Sequence, residues 1–179
     1  PTSSGKSLIM YLLSRYFNQR NHKVLIVVPL LSLMTQLPVE FTSYNNGEEM
    51  DFGFYGDSQI INPEGDYIFA TWQSITKKPQ EWFDQFGAII GDEAHLFAAK
   101  SLVKILSNLT KCANRVSLTG TLDESIVNSR TLTGLFGPII EMITTKEMID
   151  RGISSGLKIN ALILKYDQEL RKQVHKLQD

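Results

Sequence analysis

The chain has 179 residues, 42% of them hydrophobic and 21% charged, which suits one α/β domain with a sizeable core. Its formal net charge of −1 supplies no bulk cationic field toward nucleic acid or a membrane surface, so any nucleic-acid contact has to be local. No apolar run reaches the roughly 20 residues that span a bilayer, no segment reads as a signal peptide, and a single Cys112 excludes an internal disulfide; the expectation is a reducing, cytoplasmic setting with no membrane partner.

The first stretch, Pro1-Thr2-Ser3-Ser4-Gly5-Lys6-Ser7, is a phosphate-binding loop lacking only the glycine or alanine expected one position upstream. In such a loop successive backbone N–H groups at a helix N-terminus cradle a nucleotide's phosphates. Thr2, Ser3 and Ser4 supply the curve of the loop, and Gly5 lets the backbone approach the phosphate. Lys6 reaches the β and γ oxygens, and the Ser7 hydroxyl is a Mg²⁺ ligand. Leu8, Ile9, Tyr11, Leu12, Leu13 and Tyr16 then recur at helical spacing, so the loop feeds a helix. Taken alone, Gly-Lys-Ser is a weak signal whose second reading is a polar helix start. A phosphate loop ordinarily follows a strand, and the sequence holds no residue before Pro1, so the expectation is a fragment of a longer polypeptide that supplies that strand.

Beyond the first helix, apolar runs alternate with helical patterns. Residues 23–28, 67–71, 88–92 and 115–119 are near-continuous apolar strands of the kind covered on both faces, and 51–55 is a further strand. Residues 31–44, 79–85, 98–110 and 124–135 read as helices. The alternation predicts a doubly wound α/β domain, mostly parallel, with helices on both faces of the sheet and with ligands beyond the carboxyl ends of its strands. Cys112 follows an apolar helical pattern with no activating neighbour and reads as a packing residue. Residues 158–165 alternate as a strand would, and 167–178 are charged and helical; they read either as a connection toward a further domain or as an edge strand and solvated helix.

Asp92-Glu93-Ala94-His95 stands directly after the strand 88–91. A carboxylate at a strand end beside a phosphate loop holds Mg²⁺, and a second one polarises the water that attacks the γ-phosphate. Asp92 is assigned to the metal and Glu93 to the water. A lone histidine is ordinarily a surface or core residue; two positions from a catalytic carboxylate, His95 reads as a relay of the γ-phosphate state.

With the phosphate loop, Asp92-Glu93-Ala94-His95 resembles motifs I and II of superfamily 2 helicases and translocases. Thr119-Gly120-Thr121 then resembles motif III, which in that family couples hydrolysis to movement on nucleic acid. Pro29 and Gln36, within Val28-Pro29-Leu30-Leu31-Ser32-Leu33-Met34-Thr35-Gln36, fall in a segment similar to motif Ia. Thr71 and Gln73, within Ala70-Thr71-Trp72-Gln73-Ser74-Ile75, fall in a later strand-end motif that contacts the nucleic-acid backbone. Hydroxyls, amides and helix starts at strand ends suit phosphates without reading base sequence. Gly134-Leu135-Phe136-Gly137-Pro138-Ile139-Ile140 and the run from Thr145 to Gly152 are similar to the DNA-translocating branch that contains restriction-enzyme motor subunits, nucleotide-excision-repair helicases and phage recombination helicases.

The resemblance implies an N-terminal RecA-like domain over residues 1–157, with 158–179 leading toward a second RecA-like domain of the same polypeptide. It implies ATP and Mg²⁺ as cofactors and single-stranded or branched DNA, held by its backbone, as partner, in unwinding or branch migration during recombination, repair and R-loop removal. Arginine fingers, worth about 10³–10⁵ in turnover, would come from the second domain, so residues 1–179 alone are expected to hydrolyse ATP weakly. A restriction-enzyme motor subunit, an RNA helicase, and an ATP-dependent switch that does no work on nucleic acid remain open. Against the switch stands Glu93, a carboxylate with no use unless ATP is hydrolysed. Lys77, Lys78, Lys100 and Lys104 read as solvated charges and Trp72 as a core residue, with a place on the nucleic-acid path as the second possibility for each.

Overall fold

The structure is a computed structural model that describes residues 5–57, 59–93, 99–120, 126–156 and 160–161. Gly5, in the left-handed region at φ 75°, turns the chain into α1 (Lys6–Asn18). A turn through Asn21, also left-handed at φ 61°, leads to β1 (Lys23–Val28) and then α2 (Leu31–Tyr44). A hairpin follows, β2 (Phe52–Gly56) and β3 (Gln59–Ile61). The rest runs β4 (Tyr67–Thr71), α3 (Trp72–Ile75), α4 (Gln80–Phe83), β5 (Phe86–Asp92), α5 (Ala99–Asn108), β6 (Asn114–Leu118), α6 (Ile126–Phe136) and α7 (Thr145–Asp150). Thr144 and Glu147 close a reciprocal capping box at the start of α7, and those hydrogen bonds from Thr144 hold the Glu147 carboxyl below its ordinary pKa.

The six strands lie in the order β3-β2-β4-β1-β5-β6. Every pairing is parallel except the β2–β3 hairpin. The side-chain period of two divides each central strand between two cores. Val24, Ile26 and Val28 join Phe69 and Ile90 under Met10, Tyr11 and Phe17 of α1 and Met34, Leu37 and Phe41 of α2. Leu25, Val27, Ile68 and Ile89 face the opposite way, toward Ile75, Phe83 and the Leu102, Ile105, Leu106 and Leu109 stripe of α5. Both faces are therefore covered, which is why these strands read as unbroken apolar runs. Arg115, on β6, donates to the backbone carbonyls of Leu109 (2.7 Å) and Cys112 (3.1 Å), tying the end of α5 to the strand that follows.

The expected doubly wound architecture is present, with residues 23–28, 31–44 and 67–71 bounded as the pattern implies. The helix expected over 79–85 shortens to four residues, and the other boundaries move by one or two. β3, α3 and α7 are additional. Of the expected strand 158–165 only 160 and 161 are described, and they are exposed without regular structure; the remainder and the helix 167–178 lie outside the described residues. No helix among the described residues is long and apolar enough to cross a membrane.

Cys112 packs in the α5-side core at 3% exposure, and burial pushes its thiol pKa up to about 11. Alkylation at pH 8 should therefore be slow in the folded chain and fast in denaturant. Because the folded pKa is the raised one, the thiol's contribution is complete below its unfolded pKa and is lost as pH climbs toward 11.

Gly53, in β2, leaves no room for a side chain: a Cβ there would meet the backbone carbonyl oxygen of Asn62 and the end of Ile68. Gly134 in α6 is exposed and faces open space. Gly53→Ala should cost about 1–3 kcal/mol through overpacking, whereas Gly134→Ala should gain about 0.5–1 kcal/mol; urea denaturation midpoints of the two variants should move in opposite directions.

Candidate functional site

β5 and β6 are adjacent and parallel, with Asp92 opposite Leu118, so the segments after both strands emerge side by side. Asp92 is buried at 7% exposure. The next residue, Glu93, takes the left-handed conformation at φ 48°, uncommon for a side chain of this size. Its backbone N–H donates to the Leu118 carbonyl at 2.8 Å, which fixes the turn against β6.

The Glu93 carboxylate is where the distant motifs meet. Its Oε1 forms an ion pair with the Lys6 ammonium, from the first turn of α1. Its Oε2 accepts from the Thr119 hydroxyl at 2.9 Å and from the Gly120 backbone N–H at 3.2 Å. Three donors from two segments, 87 and 26 residues away for the side-chain pairs, thus converge on one side chain. The Glu93 and Lys6 side chains are 20% and 23% exposed, open to a ligand yet partly shielded from water. A Cβ at Gly5 would meet nothing within 4 Å among the described residues. Ser7 and Asp92 offer hard oxygen donors, the type that Mg²⁺ prefers. Thr2, Ser3, Ser4, His95 and Thr121 lie outside the described residues.

A second feature lies at the same carboxyl end of the sheet. A groove of about 630 Å³ is bounded by Pro29, Leu30 and Leu31 after β1, by Thr71, Gln73 and Ser74 after β4, and by the β2–β3 hairpin. Three of the four nucleic-acid candidates, Pro29, Thr71 and Gln73, are thereby brought together. Gln36 does not line the groove; its amide donates to the Glu40 carboxylate at 2.6 Å on the exposed side of α2. The Thr71 and Ser74 hydroxyls share a 2.8 Å hydrogen bond. Trp72 is half-buried against the α5-side core, as a packing residue would be. Lys77, Lys100 and Lys104 are exposed, but Lys78 lines the groove with its ammonium 4.8 Å from the centre of the Tyr55 ring. In sequence Lys78 carries no more weight than Lys77, Lys100 and Lys104, each read first as a solvated charge, and the hairpin residues Tyr55, Gln59 and Ile60 do not stand out. Nothing in a run of lysines singles one out, and three exposed residues carry no strand period.

Residues 1–124 match the family described as type III restriction enzyme, res subunit. The chain belongs to this family. The ATP-dependent DNA helicase uvsW of Enterobacteria phage T4 is 35% identical over 94% of the chain. The chain spans about a third of that relative's length, 35%. The crystal structure of the UvsW helicase from bacteriophage T4 superposes with a TM-score of 0.68 at 34% identity, covering 76% of this chain and 50% of that one. The Pyrococcus furiosus Hef helicase domain shares the fold at 19% identity, with a TM-score of 0.65 over 99% of this chain and 40% of that one. The architecture is that of the RecA-like helicase domain. Lys6 is held by Glu93, so a phosphate arriving at Lys6 would have to draw the ammonium away from a carboxylate. An ion pair this exposed is worth up to about 1 kcal/mol. Glu93→Gln should leave thermal stability within about that margin, and nucleotide affinity by equilibrium titration should rise about two- to fivefold as Lys6 is released.

Proposed function

We propose that this chain is the ATP-hydrolysing RecA-like motor domain of a DNA helicase or translocase. The observation that carries the reading is the convergence of Lys6, Thr119 and Gly120 on Glu93, at the same end of the sheet as a groove whose lining includes hydroxyls, amides and one lysine beside Asp57 and the apolar Leu30, Leu31 and Ile60. The 35% identity to a DNA helicase supports DNA as the partner, and it favours a helicase over the restriction motor that the family description also suggests.

In this reading the loop from Thr2 to Ser7 wraps the phosphates and Lys6 moves from Glu93 to the β and γ oxygens. Ser7 and Asp92 would hold magnesium, which when bound neutralises charge developing on the phosphates. Released from Lys6, the Glu93 carboxylate orients water in line with the γ-phosphorus; the phosphorus–oxygen bond to ADP breaks as the bond to water forms. Glu93 also holds Thr119 and Gly120, so its two engagements link the state of the phosphate to the segment after β6, with Thr121 and His95 in the same relay. A second RecA-like domain, toward which 158–179 lead, would complete the cleft. Cycles of closure would then shift the grip on the DNA backbone. Branched DNA, including forks, recombination junctions and R-loops, is the finer assignment of substrate and rests on likeness to the phage helicase.

The test is ATP turnover by a polypeptide that includes both domains, with no DNA and with single-stranded, duplex and forked DNA, at two salt concentrations. DNA-stimulated turnover that falls with salt and is absent in Glu93→Gln is expected; ATP binding indifferent to every nucleic acid would replace the motor by a switch. Lys78→Ala should weaken DNA binding alike for all sequences and reduce the slope of log affinity against log salt by about 1, as read by fluorescence anisotropy.

A further inference from the structure

Ser7 has a neighbour that belongs to none of the motifs. Tyr44, the last residue of α2, places its hydroxyl 3.0 Å from Ser7 Oγ. The contact is built rather than incidental. The Tyr44 ring lies against the Tyr11 ring, centroids 5.6 Å apart and planes tilted by 52°, and Tyr11 is itself buried. The residue after Tyr44, Asn45, accepts through Oδ1 from the Tyr11 hydroxyl at 3.0 Å and from Arg15 Nη1 at 2.9 Å. Its own amide donates to the Glu48 carbonyl at 3.1 Å. The carboxyl end of α2 is thereby fastened to the first three turns of α1, with the Tyr44 hydroxyl aimed at the serine.

We infer that Tyr44 is a positioning residue for the Ser7 hydroxyl, accepting its proton so that the serine oxygen turns its lone pairs toward the metal that accompanies the nucleotide. The inference rests on the reading of Ser7 as a metal ligand proposed above. A hydroxyl has one proton and two lone pairs, and its rotor goes where the proton is accepted. Coordination to a dication makes the serine proton a stronger donor, so the Ser7–Tyr44 bond tightens in the loaded site. The opposite polarity, Tyr44 donating to Ser7 Oγ, would occupy a lone pair that the metal needs, and would make the tyrosine a competitor. The two cases predict opposite signs.

The experiment is binding of a fluorescent ATP analogue to the full chain across a magnesium titration, for the unsubstituted protein, Tyr44→Phe, Ser7→Ala and the double variant, with circular dichroism to check that each is folded. Phenylalanine keeps the ring contact with Tyr11 and removes only the hydroxyl. The magnesium concentration at half-saturation should rise about 3- to 10-fold in Tyr44→Phe, with affinity in EDTA moving less than twofold, and the tyrosine change should have no further effect in the Ser7→Ala background. An unchanged or lowered magnesium requirement overturns the inference, as does an equal loss of affinity in EDTA or an effect that persists without Ser7. If the unsubstituted chain binds the analogue with no magnesium dependence, the metal-ligand reading of Ser7 falls as well, an outcome distinct from a variant that merely matches its parent.

Discussion

The Glu93 carboxylate is the point on which the functional end of this domain depends. It neutralises Lys6, accepts from Thr119 and Gly120, and sits on a backbone turned into the left-handed region. Such a conformation costs a non-glycine residue on the order of 1 kcal/mol or more and persists where its surroundings fix it. Here the backbone bond from Glu93 to Leu118 and the two contacts from the segment after β6 do that. The turn directs a carboxylate back across the strand ends toward α1, where an extended backbone would carry it onward. One side chain thus makes the start of the chain and the segment after β6 mechanically adjacent.

The sheet makes that adjacency possible. β1, β4 and β5 are buried on both faces, and the parallel pairing of β2, β4, β1, β5 and β6 puts their carboxyl ends along one side. The cluster of Lys6, Glu93, Thr119 and Gly120 at one stretch of that side and the groove at another are consequences of a single topology. The core does not specify the chemistry; it holds the strand ends rigidly enough for side chains brought in from distant segments to meet.

Much of this was legible because of how burial writes itself into sequence. A strand covered on both faces must be apolar at every position, so 23–28 and 67–71 announced both their class and their bounds. Glycine-lysine-serine before a helix, and a paired carboxylate after a strand, carry their chemistry in residue type and place. Legibility ended where tertiary contact decides. β3 is three exposed residues and α3 a single turn, neither with a period to detect, and α4 was expected over more residues than the single turn it forms. Lys78 looked like Lys77 until the fold placed one against Tyr55. Tyr44 read as one more residue of a helix, since its partner lies 37 positions away. Glu93 was expected to serve water; its grip on Lys6 was not foreseen, because that requires knowing that α1 starts beside the end of β5.

The hairpin that walls the groove also bears on whether this edge of the sheet can template a further strand. β3 ends the sheet on one side and carries Ile60 and Ile61, each more than half exposed. An apolar outer strand is a template on which another chain can add a strand of its own, the first step toward fibrillar stacking. Here the template is too short and is bent at both ends: Asp57 and Asn62 stand at φ 47° and 43°, and Pro63, next along, has no backbone N–H to donate. The chain can therefore set an isoleucine at the rim of its groove without offering a straight run of backbone for an intruding strand to copy.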